Sequence, residues 1–438
     1  MSELFNSRSS SIRQSFKSRA VQKSVYRFLN NASVAEAELI ESCVDCSRKL
    51  CAGRHLLVLN DTTEANVQRH AGRLQSDSGI GLVGNNTDAG FFAHLGLAYD
   101  IEMEQVIGFS SINLWHRPVD KADKIERNYG QLPVEQKESH KWIQCAKESS
   151  EALKDAASVT IVGDRESDMY ELFCDAEALN LQLVVRSRMN RKTTEGTLLY
   201  DQIAGESVQG IHTIKVIGDK RKQSVSRTAN LSIRYKKISL VKPKRKRDER
   251  PETVSIWLVE AKEEGKANGI CWRILTTHSI ENFNDAIQVI EWYRCRWYIE
   301  EVFRLLKNKG YKIEDSQVES GWALRKLCVL LLHNILRVMQ MLLAYESKEE
   351  QDAKLTFQED EIDCLGKLQK EVDGKTEKLK NKHPPGTLKW ATWIIARLGG
   401  WSGYTSQRPP GPITLKNGLD RFNDIFKGYM MMKLVGTQ

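Results

Sequence analysis

The chain has 438 residues, a formal net charge of +8 at pH 7 and a sequence pI of ≈ 8.9. That length supports a full hydrophobic core and two or three domains, and basic residues that cluster favour a polyanionic partner. No apolar run reaches membrane-spanning length without interruption; the longest, residues 327–343, is broken by His333, Asn334, Arg337 and Gln340 and reads as a core helix. The first 23 residues are rich in Ser, Arg and Lys and carry no secretory apolar segment, so they read as a basic arm. Nine cysteines in a chain of this kind point to reduced thiols in a cytosol.

Residues 1–55 have helical spacing, first at Val25, Phe28 and Leu29 and then over 34–46. Cys43, Cys46, Cys51 and His55 form a C-x2-C-x4-C-x3-H pattern that could hold zinc, although Cys43 and Cys46 fit ordinary packing on one helix. Residues 55–60, HLLVLN, predict a short strand ending at Asp61. Strands are expected again at 91–98 and 106–115, after a Gly-rich polar loop at 78–90 whose GIGLVG has the wrong spacing for a nucleotide fingerprint. A charged connection then leads to a helix at 138–153. A second apolar strand, SVTIVG at 158–163, ends in Asp164-Arg165-Glu166, followed by a helix at 168–179 and a strand at 181–188.

Two apolar strands therefore each finish in an acid. Either acid alone could be a turn starter. If the strands lie side by side and parallel, both carboxylates meet at one edge of the sheet. Residues 190–272 alternate in strand fashion and carry Lys220-Arg221-Lys222 and the 242–247 run KPKRKR, which predicts a basic, β-rich insertion. Trp272 sits in ICWRILT and reads as a strand tryptophan. Read as one helix, residues 293–307 place Tyr293, Arg296, Glu300, Arg304 and Lys307 inside an arc of roughly 80°. Glu301 points elsewhere, and the opposite face is apolar. A solvated face with i,i+4 ion pairs is the plain alternative for that stripe. Residues 346–382 are highly charged, and Pro/Gly turns join helices after them.

The spacing Tyr293-x2-Arg296-x3-Glu300-x6-Lys307 resembles the YREK signature of the insertion-sequence family four transposases, the group of the Tn-five type enzymes. Tyr26-Arg27-Phe28 and Glu138-Ser139-His140-Lys141-Trp142 resemble further boxes of that family, and the likeness runs over residues 24–435. The resemblance implies an α/β fold: an RNase H-like catalytic core with an inserted β-rich subdomain, flanked by helical N- and C-terminal regions. The boundaries expected are an end-binding region at 1–55, a catalytic domain at 56–345 with its insertion at about 190–272, and a dimerisation region at 346–438.

On the same resemblance Asp61, Asp164 and Glu300 form a DDE triad that holds two Mg2+ or Mn2+ ions. Three acids brought together would otherwise repel, and two hard cations answer that with oxygen ligands. Tyr293, Arg296, Arg304, Lys307 and Arg186 are implied as DNA contacts. Trp272, at the family's spacing from Tyr293, would stack on a base flipped out of the duplex. The activity implied is cut-and-paste transposition on terminal inverted repeats and target DNA, by a homodimer in a bacterial cytoplasm. Only 25 residues precede Tyr26, fewer than in most relatives, leaving Arg8, Arg13, Lys17, Arg19 and Lys23 for phosphates. An end-binding-deficient or inhibitory derivative and a non-transposing nuclease on the same fold are the alternatives.

Overall fold

The computed structural model describes residues 11–12, 18–75, 78–119, 129, 131–216, 225–244, 248–266, 268–308, 310–404 and 407–435. The Lys220-Arg221-Lys222 cluster, residues 245–247 of the second basic run, and Arg8, Arg13 and Lys17 lie outside them.

In chain order α1 (Arg19–Asn30) and α2 (Glu36–Leu50) precede β1 (His55–Asn66), β2 (Gly81–Leu82), β3 (Ala89–Asp100) and β4 (Gln105–Trp115). Next come α3 (His140–Ala152), β5 (Ser158–Gly163), α4 (Tyr170–Asp175), β6 (Gln182–Arg186) and α5 (Leu199–Ala204). Strands β7 (Gly210–Val216), β8 (Arg227–Val241), β9 (Thr253–Lys262) and β10 (Cys271–Thr276) follow. Helices α6 (Phe283–Cys295), α7 (Trp297–Lys307), α8 (Gly321–Glu346), α9 (Glu359–Val372), α10 (Leu388–Leu398) and α11 (Pro412–Val435) come last. They gather into two compact units: residues 55–61 with 122–298, and residues 1–54, 62–121 and 299–438. The N- and C-terminal helical regions thus share one unit, and β1 and α7 contribute residues to both.

The unit of 55–61 and 122–298 is built on a mixed sheet with strand order β1-β5-β6-β10-β9-β8-β7. β1, β5 and β6 run parallel, with His55 opposite Ser158 and Leu59 opposite Val162. Leu56, Leu57, Val58 and Leu59 are all fully buried, as a parallel strand covered on both faces requires. From β6 onward every pairing is antiparallel. The expected insertion is therefore β-rich, but its strands are not a separate subdomain. β10 pairs directly with β6, so the hairpins extend the same sheet. Helix α6 packs against β5, β6, β8, β9 and β10. It starts at a capping box in which the Asn282 and Asp285 side chains each answer the other's backbone N–H.

In the other unit β3 and β4 form an antiparallel hairpin with β-bulges after Gly96 and Ala98. Helix α8 is its core helix, packed by α1, α2, β4, α10 and α11. By length and composition alone it could cross a membrane, but 89% of its apolar window is buried inside the protein. Its charges are matched. Arg325 pairs with Glu36 and donates to Leu114 O at 2.7 Å, Lys326 donates to Asn31 O at 2.9 Å, and Arg337 meets Glu361 at 2.8 Å.

Candidate active site

The β1/β5 register ends with Leu59 opposite Val162, so Asp61 and Asp164 each follow the last paired residue by two positions. Neighbouring strands run about 5 Å apart, and register partners in a parallel pair project to the same side of the sheet. Asp61 lies within β1, which runs on to Asn66, and Asp164 lies just past the end of β5. Asp164 turns out of β5 with φ −83° and ψ −166°, and its Oδ1 accepts from the Glu166 N–H at 2.7 Å. Ser167 Oγ donates back to Asp164 O at 2.7 Å. That turn closes against Gly163, where an added Cβ would lie 2.8 Å from Ser167 Cβ and 3.2 Å from Asn60 Oδ1. Only glycine fits there. Four residues on, buried Asp168 accepts from Arg188 N–H at 2.7 Å and pairs with Arg191, which anchors the 188–191 segment to the same turn.

Two cations stand by the pair. Arg296 Nη1 donates to Asp61 Oδ2 at 2.8 Å, with both side chains largely buried. Lys141 Nζ lies 3.5 Å from Glu166 Oε2, beside the Asp164 turn, and 5.3 Å from the Trp142 ring centroid. Nothing in the local sequence pattern assigned a role to Lys141; its one signal was its place in the E-S-x-K-W box.

The expected single helix over 293–307 does not form. Arg296, at φ −52° and ψ −26°, has its N–H on Tyr293 O three residues back. That tighter turn ends α6 and restarts the chain as α7. The stripe dissolves accordingly. Tyr293 is only 7% exposed, its ring set edge-on to Trp272 at 5.9 Å, so it is a packing residue here and not an exposed contact. Trp272 is half-buried on β10. Arg186, at the end of β6, donates to Cys271 O at 3.4 Å.

Glu300, Arg304 and Lys307 belong to the other unit. Glu300 is half-buried in the first turn of α7. Two cations of the stripe have partners outside it. Arg304 Nε donates to Glu301 at 2.8 Å, and Lys307 Nζ reaches Glu314 Oε1 at 3.2 Å. Glu314 also accepts from the Asn66 backbone N–H at 3.1 Å. Burial, together with the charge of Glu301, raises the Glu346 carboxyl above its usual range.

Among the described residues no group of three or more His, Cys, Asp or Glu side chains gathers as a metal site. Asp61 and Asp164 follow the paired stretch of adjacent parallel strands. Their donor chemistry fits a hard divalent cation, which one or two carboxylates hold when phosphate and water complete the shell. The Arg296 guanidinium already places a cation on Asp61. The 43–55 pattern does not gather. Cys43 Sγ lies 3.8 Å from Val329 O, Cys51 Sγ donates to Arg48 O at 3.2 Å, and His55 Nδ1 meets Ser158 Oγ at 2.8 Å. Burial pushes the Cys43 thiol up to about 12, against the thiolate that zinc needs.

One solved structure similar to this chain is described as a "Cryo-EM structure of piggyBac transposase synaptic complex with hairpin DNA". The match has a TM-score of 0.37 and 10% sequence identity, and it covers 90% of this chain and 65% of that one. The family described as "Transposase DDE domain" matches residues 87–337, more than half of the sequence. The chain belongs to the transposase DDE domain family.

Proposed function

We propose that this chain is a cut-and-paste DNA transposase of the insertion-sequence family four type, in which Asp61, Asp164 and Glu300 hold two Mg2+ or Mn2+ ions. The observation that supports this reading is the parallel pairing of β1 with β5, whose paired stretches Asp61 and Asp164 follow, in a chain of the DDE family. When bound, the cations supply activation of a water or 3′ hydroxyl and stabilisation of the leaving oxygen. The protein's own part is to fix the ligands. β1 and β5 aim the two aspartates, and Gly163 with Ser167 holds the Asp164 turn. Lys141, Arg186, Arg296, Arg304 and Lys307 are proposed to meet phosphates, with forked contacts from arginine and a point charge from lysine. Trp272 is proposed to stack on a displaced base. The partners are double-stranded DNA, as terminal inverted repeats and target, and a second copy of the chain, in a bacterial cytoplasm.

The test is cleavage of a duplex carrying the element's own end. Asp61→Ala, Asp164→Ala and Glu300→Ala should each abolish strand cleavage while the shift of the duplex in a gel persists. Normal cutting by Glu300→Ala, with loss in Glu301→Ala, would move the third carboxylate one position along. Normal cutting by either aspartate variant ends the proposal.

A further inference from the structure

We infer that Arg296 guards Asp61: its guanidinium occupies the carboxylate until a phosphodiester draws it away, so that cation binding and nucleic-acid binding are coupled through this one side chain. The inference rests on the metal-site reading proposed above and goes beyond it.

The geometry is specific to Arg296. In the 293–307 stretch Arg294 answers Glu291, Arg304 answers Glu301 and Lys307 answers Glu314, none of them a candidate ligand. Arg296 meets one, at 2.8 Å from Asp61 Oδ2. The pair is sheltered, with side-chain exposures of 18% and 17%, so solvent screens it far less than a surface bridge. Arg296 also sits at the break between α6 and α7, outside the regular turns of either helix. Its side chain can change partner without unwinding one.

Guanidinium forks onto carboxylate and phosphate alike. A divalent cation arriving at Asp61 must displace the guanidinium or share the carboxylate with it, and two cations at one carboxylate repel. A phosphodiester offers Arg296 an equivalent oxyanion and leaves Asp61 to the metal. Linkage then requires reciprocity: the duplex tightens the metal by the same factor as the metal tightens the duplex.

The experiment is a Mn2+ titration of the full chain by electron paramagnetic resonance, with and without a random-sequence duplex, alongside a thermal melt of each variant. Without DNA, Arg296→Gln should bind its first Mn2+ roughly tenfold more tightly than wild type, a factor set by about 1.4 kcal/mol of competing ion pair. Arg296→Lys, which keeps the charge, should stay near wild type and serves if the glutamine variant does not fold. Adding duplex should tighten Mn2+ in wild type and leave Arg296→Gln unchanged. A purely structural arginine would give equal or weaker Mn2+ binding in Arg296→Gln, and that result overturns the guard. Asp61→Asn separates the two readings. If it leaves Mn2+ binding intact, the metal site itself is misplaced. If it abolishes binding while Arg296→Gln matches wild type, only the guard fails.

Discussion

The two halves of the sheet formed by β1, β5–β10 share apolar burial and differ in their cross-strand charges. In the parallel half, β1 contributes Leu56 to Leu59 with no exposed surface at all, and β5 contributes Val159, Ile161 and Val162, so the strands are fixed by apolar burial on both faces. In the antiparallel half Leu231, Ile233, Leu258, Val259, Ile274 and Leu275 are buried as fully, and cross-strand ion pairs are added to that burial. Buried Glu260 on β9 accepts from Arg273 on β10 at 2.7 Å and lies 3.4 Å from Arg234 on β8. Arg234 also reaches Glu264, Arg227 pairs with Glu263, and Arg273 lies over the Tyr200 ring at 4.1 Å. An apolar pair of strands sets direction, which suits two acids that must arrive together. A ladder of charges sets register against neighbours and leaves cations at the surface.

The strongest way to break this comparison is to place a charge in the parallel half. Leu57→Asp should leave no soluble folded protein, because a buried unpaired carboxylate costs several kcal/mol against a total stability of about 5–15 kcal/mol. Recovery of a normal melting curve would show that β1 is not covered on both faces. In the ionic half the damage should be graded. Glu260→Ala strands two arginines and should cost about 3–5 kcal/mol by urea unfolding, whereas Arg227→Ala, at the more exposed pair, should cost under about 1 kcal/mol. Equal losses would mean that the ladder is not centred on Glu260.

Between these lies Gly163→Ala. Its Cβ would crowd Ser167 and Asn60, so a loss of about 1–3 kcal/mol is expected in the same unfolding assay. Cleavage should suffer more than stability accounts for, because the crowding falls one residue before Asp164. A stability loss with unchanged cleavage would detach the turn from the chemistry.

The smallest expected effect is a pH dependence. Burial holds His278 down to about 4, neutral against Thr160 Oγ1 at 2.9 Å and beside the Trp292 ring. The folded state therefore refuses a proton that the unfolded chain accepts below about 6.5. Stability is complete above that pH and falls as pH drops from about 6.5 towards 4. His333, also held down to about 4 by burial, adds in the same direction. His278→Asn should flatten the melting temperature over this window, and an unchanged slope would leave His333 as the main source.

The parallel half was readable because HLLVLN and SVTIVG are short unbroken apolar runs, each punctuated by an acid. β5 falls on the predicted residues, and β1 starts where expected but continues past Asp61 to Asn66. The parallel pairing of the two strands entered the sequence reading only as a condition, which the structure meets. The helix at 168–179 came out as Tyr170–Asp175, with turns where the apolar spacing suggested more helix. The break at Arg296 was not legible. No Gly or Pro marks it, and 3.6-residue spacing continues through it undisturbed. The ionic ladder escaped for a different reason: Arg234, Glu260 and Arg273 are far apart in sequence, and only the order of β8, β9 and β10 brings them together. The candidate site follows the same division. Its two aspartates were visible locally, while the Arg296–Asp61 pair spans 235 residues and belongs to tertiary structure.

Helix α8 has a consequence for how the chain is made. Its partners α1, α2 and β4 are synthesised before it, but α10 and α11 come after. Until α10 and α11 have followed α8 out of the ribosome exit tunnel, the flank of α8 that they will cover has nothing to lie against. At that stage a stretch as apolar as a membrane span is half wrapped in a nascent chain. Holdase chaperones and the membrane-insertion machinery both read such a stretch, so the interval before α10 emerges is the most vulnerable period in this protein's biogenesis. Synonymous codons that slow translation once α8 has left the exit tunnel, and before α10 has, should therefore lower its soluble yield more than the same codons placed before residue 321.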